Sequence, residues 1–276
     1  MGILPQPSAS CDALVLRVWP CGETSVIASL LTCDYGYVKV IAKAARRPKS
    51  RLRALVEPGR LVNVEFSLNE KRELQYLRGG TVEWDSLGPG TTLEQTAFLQ
   101  AALELADRCR PLGNHAGDDN SNEAASQLFR ICDHFLRVLS SPSCVRSDLA
   151  FFAFEWQLLA AHGMAPEVDL CTSCGQNCDD LTEDSLWFSP SEGGVVCGAC
   201  ARKPGASTGK PLGSTVWGIF TLMASGELSL DADSPLERPL RRELGAHLHN
   251  FLGYHLPGYR LPAALDLLRA RKEQSG

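Results

Sequence analysis

Cys171-Thr-Ser-Cys174 and Cys197-Gly-Ala-Cys200 are two C-x2-C pairs, and this spacing suits one kind of chemistry. Each short turn lets two thiolates reach one metal ion, and two such turns complete the tetrahedron of a four-cysteine zinc site, with Zn–S bonds of about 2.3 Å. The interval contains Leu186-Trp187-Phe188, a turn over 190–194 and Val195-Val196, enough for a hairpin between the knuckles. Cys178 and the more distant His162 are possible substitute ligands. Four thiolates leave no open coordination position, so no activated water is expected, and the ion is read as structural.

Rival chemistries lack their residues. A nucleobase deaminase needs H-x-E upstream of P-C-x-x-C, but Val196 precedes Cys197 and no histidine is followed two residues later by glutamate. A redox dithiol requires a single C-x-x-C in a βαβ setting. Gly205-Ala-Ser-Thr-Gly209-Lys210-Pro211 is one residue short of a phosphate loop and has proline where the metal-binding hydroxyl belongs. No catalytic residue is assigned, and no enzyme is expected.

The second chemical feature is a run of cations. Lys39, Lys43, Arg46, Arg47, Lys49, Arg51 and Arg53 occur in 39–53 without one acidic residue, although the chain as a whole has a net charge of −5. Such a segment can lie along a phosphate backbone, while Trp19, Tyr35, Tyr37, Phe66 and Tyr76 are rings available either for stacking on bases or for the core.

Alternation of apolar and polar residues predicts strands over 13–19 and 59–68, a run rich in β-branched and apolar residues predicts one over 24–32, and two more are read over 36–42 and 74–84. Five strands with a long connection after the third suit a small barrel of the OB type, with an SH3-like barrel as the alternative. After Gly88-Pro89-Gly90 the period changes to 3.6. Thr92 can cap a helix with Glu94 and Gln95 in its first turn; further apolar stripes run through Leu128, Cys132, Phe135 and Leu139, through Leu149, Phe152 and Trp156, and through Leu240, Leu244 and Leu248. A polar loop is expected over 113–122, a cap at Gly163, a flexible connector over 203–213, a cap at Ser214 and a helix opening at Pro239.

The chain of 276 residues, 44% hydrophobic and 21% charged, has the balance of a folded water-soluble protein with more than one core. Residues 1–10 lack the basic and apolar regions of a secretion signal, and no run of eighteen apolar residues occurs, so neither export nor a membrane span is expected. Eleven cysteines then belong to a reducing compartment; Cys11, Cys21, Cys33, Cys109, Cys132 and Cys144, scattered singly, read as small buried hydrophobes.

Several of these segments together resemble the RecO family of bacterial recombination mediators. They are Ala13-Leu-Val-Leu-Arg17, Gly22-Glu23, Tyr35-Gly36, Ala42-Lys-Ala-Ala-Arg-Arg-Pro-Lys-Ser-Arg-Leu52, Phe154-Glu155, Gly163-Met-Ala-Pro166, Phe188-Ser189-Pro190 and the two cysteine pairs. The resemblance implies an α+β multi-domain chain: an N-terminal five-stranded OB-type β-barrel over 1–86, an all-α helical domain over 91–165 and 211–276, and an inserted four-cysteine zinc module over 166–205. It further implies annealing of complementary DNA strands and assisted loading of RecA on single strands coated by SSB. Partners would be single- and double-stranded DNA, RecR and the C-terminal tail of SSB, in the cytoplasm near the nucleoid, with one structural Zn2+ as cofactor. Two other functions stay open on the residues alone, a zinc-ribbon transcription or RNA-binding accessory protein and a metal-dependent nuclease.

Overall fold

In a computed structural model the chain is described over residues 8–69, 71–88, 90–110, 119–141, 144–181, 186–205, 209–230 and 234–268. Contacts divide it into two compact units, 1–141 with 262–276, and 142–261.

In the first unit, strands β1 (Ser8–Cys21), β2 (Ser25–Thr32), β3 (Gly36–Ala42), β4 (Arg60–Ser67) and β5 (Leu74–Asp85) close into a barrel in the order β1-β2-β3-β5-β4. Neighbours are antiparallel except β3 and β5, which meet in parallel at Lys39–Ile41 and Leu74–Tyr76. β1 serves two partners: 8–14 pairs with β4 and 13–21 with β2, and the register shifts between Val15 and Arg17. It starts earlier than the predicted 13 because exposed Ser8, Ser10 and Asp12 alternate with buried Ala9, Cys11 and Ala13, a pattern of small residues that hydrophobicity alone understates. Ala13, Val15, Ala28, Leu30, Val40, Ala42, Val64 and Phe66 fill the interior, and Leu55 and Val56, from a 3-10 turn at Ala54–Val56, join them. Loss of the Phe66 ring would cost about 3–5 kcal/mol.

Helices α1 (Leu93–Arg108) and α2 (Asp119–Leu139) pack on this barrel. The two helices were expected to join the later ones in a separate domain, but their contacts group them with the strands. The physical reason lies in Leu14 and Leu31, which face each other across β1 and β2 outside the barrel interior and are fully buried all the same. Strands apolar on both faces require a cover. The α1 cap is a reciprocal box in which Thr92 accepts from the Gln95 N–H and the Gln95 side chain accepts from the Thr92 N–H at 2.9 Å. α2 begins at Asp119, inside the loop expected over 113–122; residues 113–118 lie outside the described residues.

The second unit is built on α3 (Ser147–Ala161), which is buried on nearly every side through Leu149, Phe151, Phe152, Phe154, Trp156, Leu158 and Leu159. Gly163 ends it with φ 69°, the left-handed turn expected there. β6 (Leu186–Ser189), β7 (Gly194–Cys197) and β8 (Lys210–Pro211) form a small sheet in the order β7-β6-β8, with the four-residue α4 (Gly198–Ala201) between β7 and β8 in sequence. Lys210-Pro211 is thus paired with Trp187-Phe188, where a free connector was expected; residues 206–208 of that connector lie outside the described residues. α5 (Ser214–Ser225) is preceded by Gly213 as its cap residue. Ser214 was the expected cap, but it already lies in the helix and makes no capping bond; the Gly213 N–H instead donates to Glu243 at 3.0 Å. α6 (Arg238–His255) has Pro239 in its first turn, as its fixed φ favours.

α3 and α6 meet in layers. Asp148 faces Arg241 at 3.4 Å, the Phe152 ring lies 3.3 Å from where a Cβ on Gly245 would stand, and buried Glu155 faces His249 at 3.3 Å. Beside them, the Phe188 ring lies 5.1 Å from Phe220, 5.2 Å from Phe251 and 5.6 Å from His247. Burial lowers the pKa of His247, against the smaller raising effect of Glu243. The folded state therefore holds the ring neutral, while the unfolded chain takes up a proton as pH falls through about 6.5. Stability from this group is complete above that pH and is lost below it. His247→Phe should accordingly flatten the decline of the thermal midpoint between about pH 7 and about pH 5, measured by circular dichroism against the unmodified chain.

Candidate metal centre and nucleic-acid interface

The first knuckle is shaped by its backbone. The Gly175 N–H donates to the Cys171 carbonyl at 2.8 Å, and Gly175 takes φ 73°, which carries the chain past the two thiols. The second knuckle leaves β7 at Cys197 and enters α4, so hairpin register fixes its position: Leu186 pairs with Cys197 and Ser189 with Gly194. The two knuckles are tied by the Thr172 N–H donating to Val195 O at 2.9 Å and by the Cys197 N–H donating to Cys171 Sγ at 3.2 Å.

The result is one cluster. The thiols of Cys171, Cys174, Cys197 and Cys200 all lie within 4.8 Å of one another, and Cys174 and Cys197 are 3.9 Å apart. Four sulfurs at about 2.3 Å from a central ion stand about 3.8 Å from each other, so the quartet can hold one metal ion with little movement. Burial acts to raise the Cys171 thiol, but N–H groups of Cys197, Cys174 and Ser173 outweigh it and bring it down to about 7. Burial and the neighbouring thiols of Cys197 and Cys174 push Cys200 up to about 12. Cys178 is buried close by and raised to about 11, first by burial and then by Cys171, yet it stands outside the quartet, as does His162, which caps α3. Of the six scattered cysteines, Cys11, Cys109 and Cys132 are buried and Cys21, Cys33 and Cys144 are half-buried.

Gly194 is a point of close backbone approach in this module. A Cβ there would lie 2.1 Å from the carbonyl oxygen of Glu167, the residue of the segment before the first knuckle that bridges to Gly194. Gly194→Ala should destabilise the second unit by roughly 1–3 kcal/mol, read as a lower denaturant midpoint, and should weaken metal retention in a chelator competition.

The cationic segment forms the end of β3 and the long connection to β4. Its first half is held by the Arg46 N–H donating to Thr24 O at 2.9 Å and by successive turns, Arg47 N–H to Ala44 O at 3.1 Å and Ser50 N–H to Arg47 O at 3.0 Å. These bonds use the main chain and leave the side chains outward. Lys43, Arg46, Arg47, Lys49, Arg51 and Arg53 are exposed and make no ion pair with a carboxylate among the described residues. Lys39 differs: it is bonded to Glu73, a partner 34 residues away that only the parallel pairing of β3 and β5 brings to it.

The five candidate rings separate into two groups. Phe66 is in the barrel interior with Tyr35 packed edge-on at 5.7 Å, and the Tyr37 hydroxyl donates to Ala106 O at 2.6 Å beneath the Arg110 guanidinium. Tyr76 is exposed with Lys43 Nζ 4.7 Å from its ring centre, and Trp19 is half-buried with the Arg17 guanidinium at 6.0 Å. Arg17 was not singled out in the sequence. Its only signal there is that it interrupts an otherwise apolar strand.

Family models match along the chain: "Recombination protein O N terminal" over residues 7–83 and "Recombination protein O C terminal" over residues 90–264. The chain is 30% identical over 254 residues to the DNA repair protein RecO of Anaeromyxobacter dehalogenans (strain 2CP-C), covering 91% of this chain and 92% of that relative. It is 26% identical over 270 residues to the DNA repair protein RecO of Bacillus subtilis (strain 168), covering 96% and 97%. The first match ends near the end of β5 and the second begins just before α1, close to the change of period from two to 3.6. With both halves matched and the likeness running the length of its relatives, the chain belongs to the RecO family of DNA repair proteins.

Proposed function

We propose that the protein is a non-enzymatic recombination mediator that binds DNA, anneals complementary single strands and assists loading of RecA on SSB-coated single strands. The observation that carries this is the set of exposed cations Lys43, Arg46, Arg47, Lys49, Arg51 and Arg53, without carboxylate partners among the described residues, on one connection of the barrel. Phosphates bound there have part of their charge neutralised, which lowers repulsion when a second strand approaches. Base pairing does the chemistry. The strand order β1-β2-β3-β5-β4 supports an OB-type barrel for this role. RecR and the C-terminal tail of SSB are the proposed protein partners.

The quartet Cys171, Cys174, Cys197 and Cys200 is proposed to hold one Zn2+ as a structural ion. All-sulfur donors at tetrahedral spacing suit zinc, and the ion's charge would allow the thiols to remain ionised together. When bound, it would link the knuckles to the hairpin that carries Phe188.

If about four cations touch a single strand, log K for binding falls against log salt with a slope of about −3. The triple variant R46A/R47A/K49A should flatten that slope and slow annealing of SSB-coated complementary strands; unchanged binding by the variant would remove the segment from the site. A clear preference for RNA in competition would favour the accessory-protein alternative instead. Cys197→Ser should lower metal content, solubility and thermal midpoint before it alters intrinsic DNA affinity, measured by metal analysis and melting in parallel with binding.

A further inference from the structure

The four thiols of the quartet are not equally placed. Cys171, Cys197 and Cys200 are 1%, 2% and 5% exposed, whereas Cys174 lies in the exposed tip of the first knuckle, among Ser173, Gly175, Gln176 and Asn177. The Cys171 sulfur is further engaged by the Cys197 N–H, which donates to it at 3.2 Å. Cys174 Sγ stands 3.9 Å from Cys197 Sγ, on the other knuckle. An accessible thiolate with a second sulfur at contact distance is the arrangement that oxidation to a disulfide requires.

We propose that Cys174 is an oxidative modification site at which a small peroxide opens the metal centre, leaving a Cys174–Cys197 disulfide between the knuckles and releasing the ion. It rests on the zinc reading above and adds which sulfur reacts, with what and toward which partner. Thiols that hold a metal are ionised at neutral pH, and the thiolate is the reactive form. Thiols elsewhere lack one condition or the other. Burial pushes Cys33 up to about 11 and raises Cys144, so both are held protonated. Cys178, beside the quartet, is 1% exposed and shielded from solvent.

The chemistry takes place on the two sulfurs. The Cys174 thiolate attacks one oxygen of hydrogen peroxide; an S–O bond forms, the O–O bond breaks and hydroxide leaves, so Cys174 becomes a sulfenic acid. The Cys197 thiolate then attacks the Cys174 sulfur; the S–S bond forms, the S–O bond breaks and a second hydroxide leaves. Each hydroxide takes a proton from solvent. Two thiolates, one peroxide and two protons thus give one disulfide and two waters, with two electrons passing from sulfur to oxygen. The sulfurs close from 3.9 Å to about 2.05 Å. Cys171 and Cys200 then offer two donors where a tetrahedral ion needs four, and the ion is lost.

The test uses the full chain, purified with zinc and treated with one equivalent of hydrogen peroxide. Released zinc is followed with a coloured chelator, sulfenic acid is trapped with dimedone, and disulfides are mapped by peptide mass spectrometry. Cys174 should be the first residue trapped, ahead of Cys21, Cys33 and Cys144. Zinc release should track the Cys174–Cys197 disulfide one to one, and a dithiol with added zinc should restore the centre. Cys174→His keeps four donors without the exposed sulfur, so release should slow about tenfold. If that variant fails to hold zinc, the order of trapping in the unmodified chain decides. A first label on Cys200, reached through the cavity of about 230 Å³ that it lines with Ser173, Trp187 and Val196, would overturn the proposal. Zinc release without the Cys174–Cys197 disulfide, or at an unchanged rate from Cys174→His, would do the same. A chain that holds no zinc before oxidation would remove the zinc reading itself, a result distinct from these.

Discussion

A small barrel has an outer surface that must be either covered or used, and the boundary between the two is drawn at Ser29. Its hydroxyl, almost wholly buried, donates to Asp107, and Arg110 reaches the same carboxylate at 2.6 Å while lying over the Tyr37 ring. On one side of this polar seam, Leu14 and Leu31 are buried and the half-buried Tyr37 bonds to Ala106 of α1. On the other, Trp19, Ile27, Ile41 and Tyr76 form a row whose side chains stay at least partly open to solvent. Buried polar groups are tolerated where each finds a partner, and here the partners tie the end of α1 to β2. The cover therefore stops at a defined row.

The second unit solves a different problem. A hairpin of two four-residue strands is too short to be stable alone, so it must be anchored at both ends. One anchor is the thiol quartet at the Cys197 end. The other is the Phe188 ring, which packs against Phe220, Phe251 and His247 in the helical core. His255 adds a contact at the turn, its Nε2 lying 2.8 Å from Pro190 O. The hairpin thus runs from the cysteine quartet to the helical core of the same unit.

Much of the fold was legible because it rests on local patterns. Alternation and runs of β-branched and apolar residues located all five barrel strands, and the reciprocal Thr92–Gln95 cap marks the start of α1. Where the signal was weak, boundaries moved: Ser8–Asp12 lies before the predicted strand, yet its buried small residues Ala9 and Cys11 let it pair with β4. Ser214 has the chemistry of a cap, but Glu243, supplied by α6, bonds the preceding N–H and takes over that role. The placement of α1 and α2 with the barrel was not legible at all, since an amphipathic helix records that one face is buried but not against what.

The sequence alone determined the cysteine quartet, because C-x2-C geometry is set within four residues, and it determined which cations are free of nearby acids in the chain. Only the tertiary structure decided that Lys39 is paired with Glu73, since that contact depends on a parallel pairing across a long connection. The same holds for the rings. Trp19, Tyr37, Phe66 and Tyr76 are equivalent as letters in a strand, and their fates diverge because inter-strand register, with one bulge in β1, assigns each to the interior, to the helical cover or to the open row, while Tyr35 reaches the interior from the turn before β3. Register is a relation between distant segments, and residue types within one segment do not encode it.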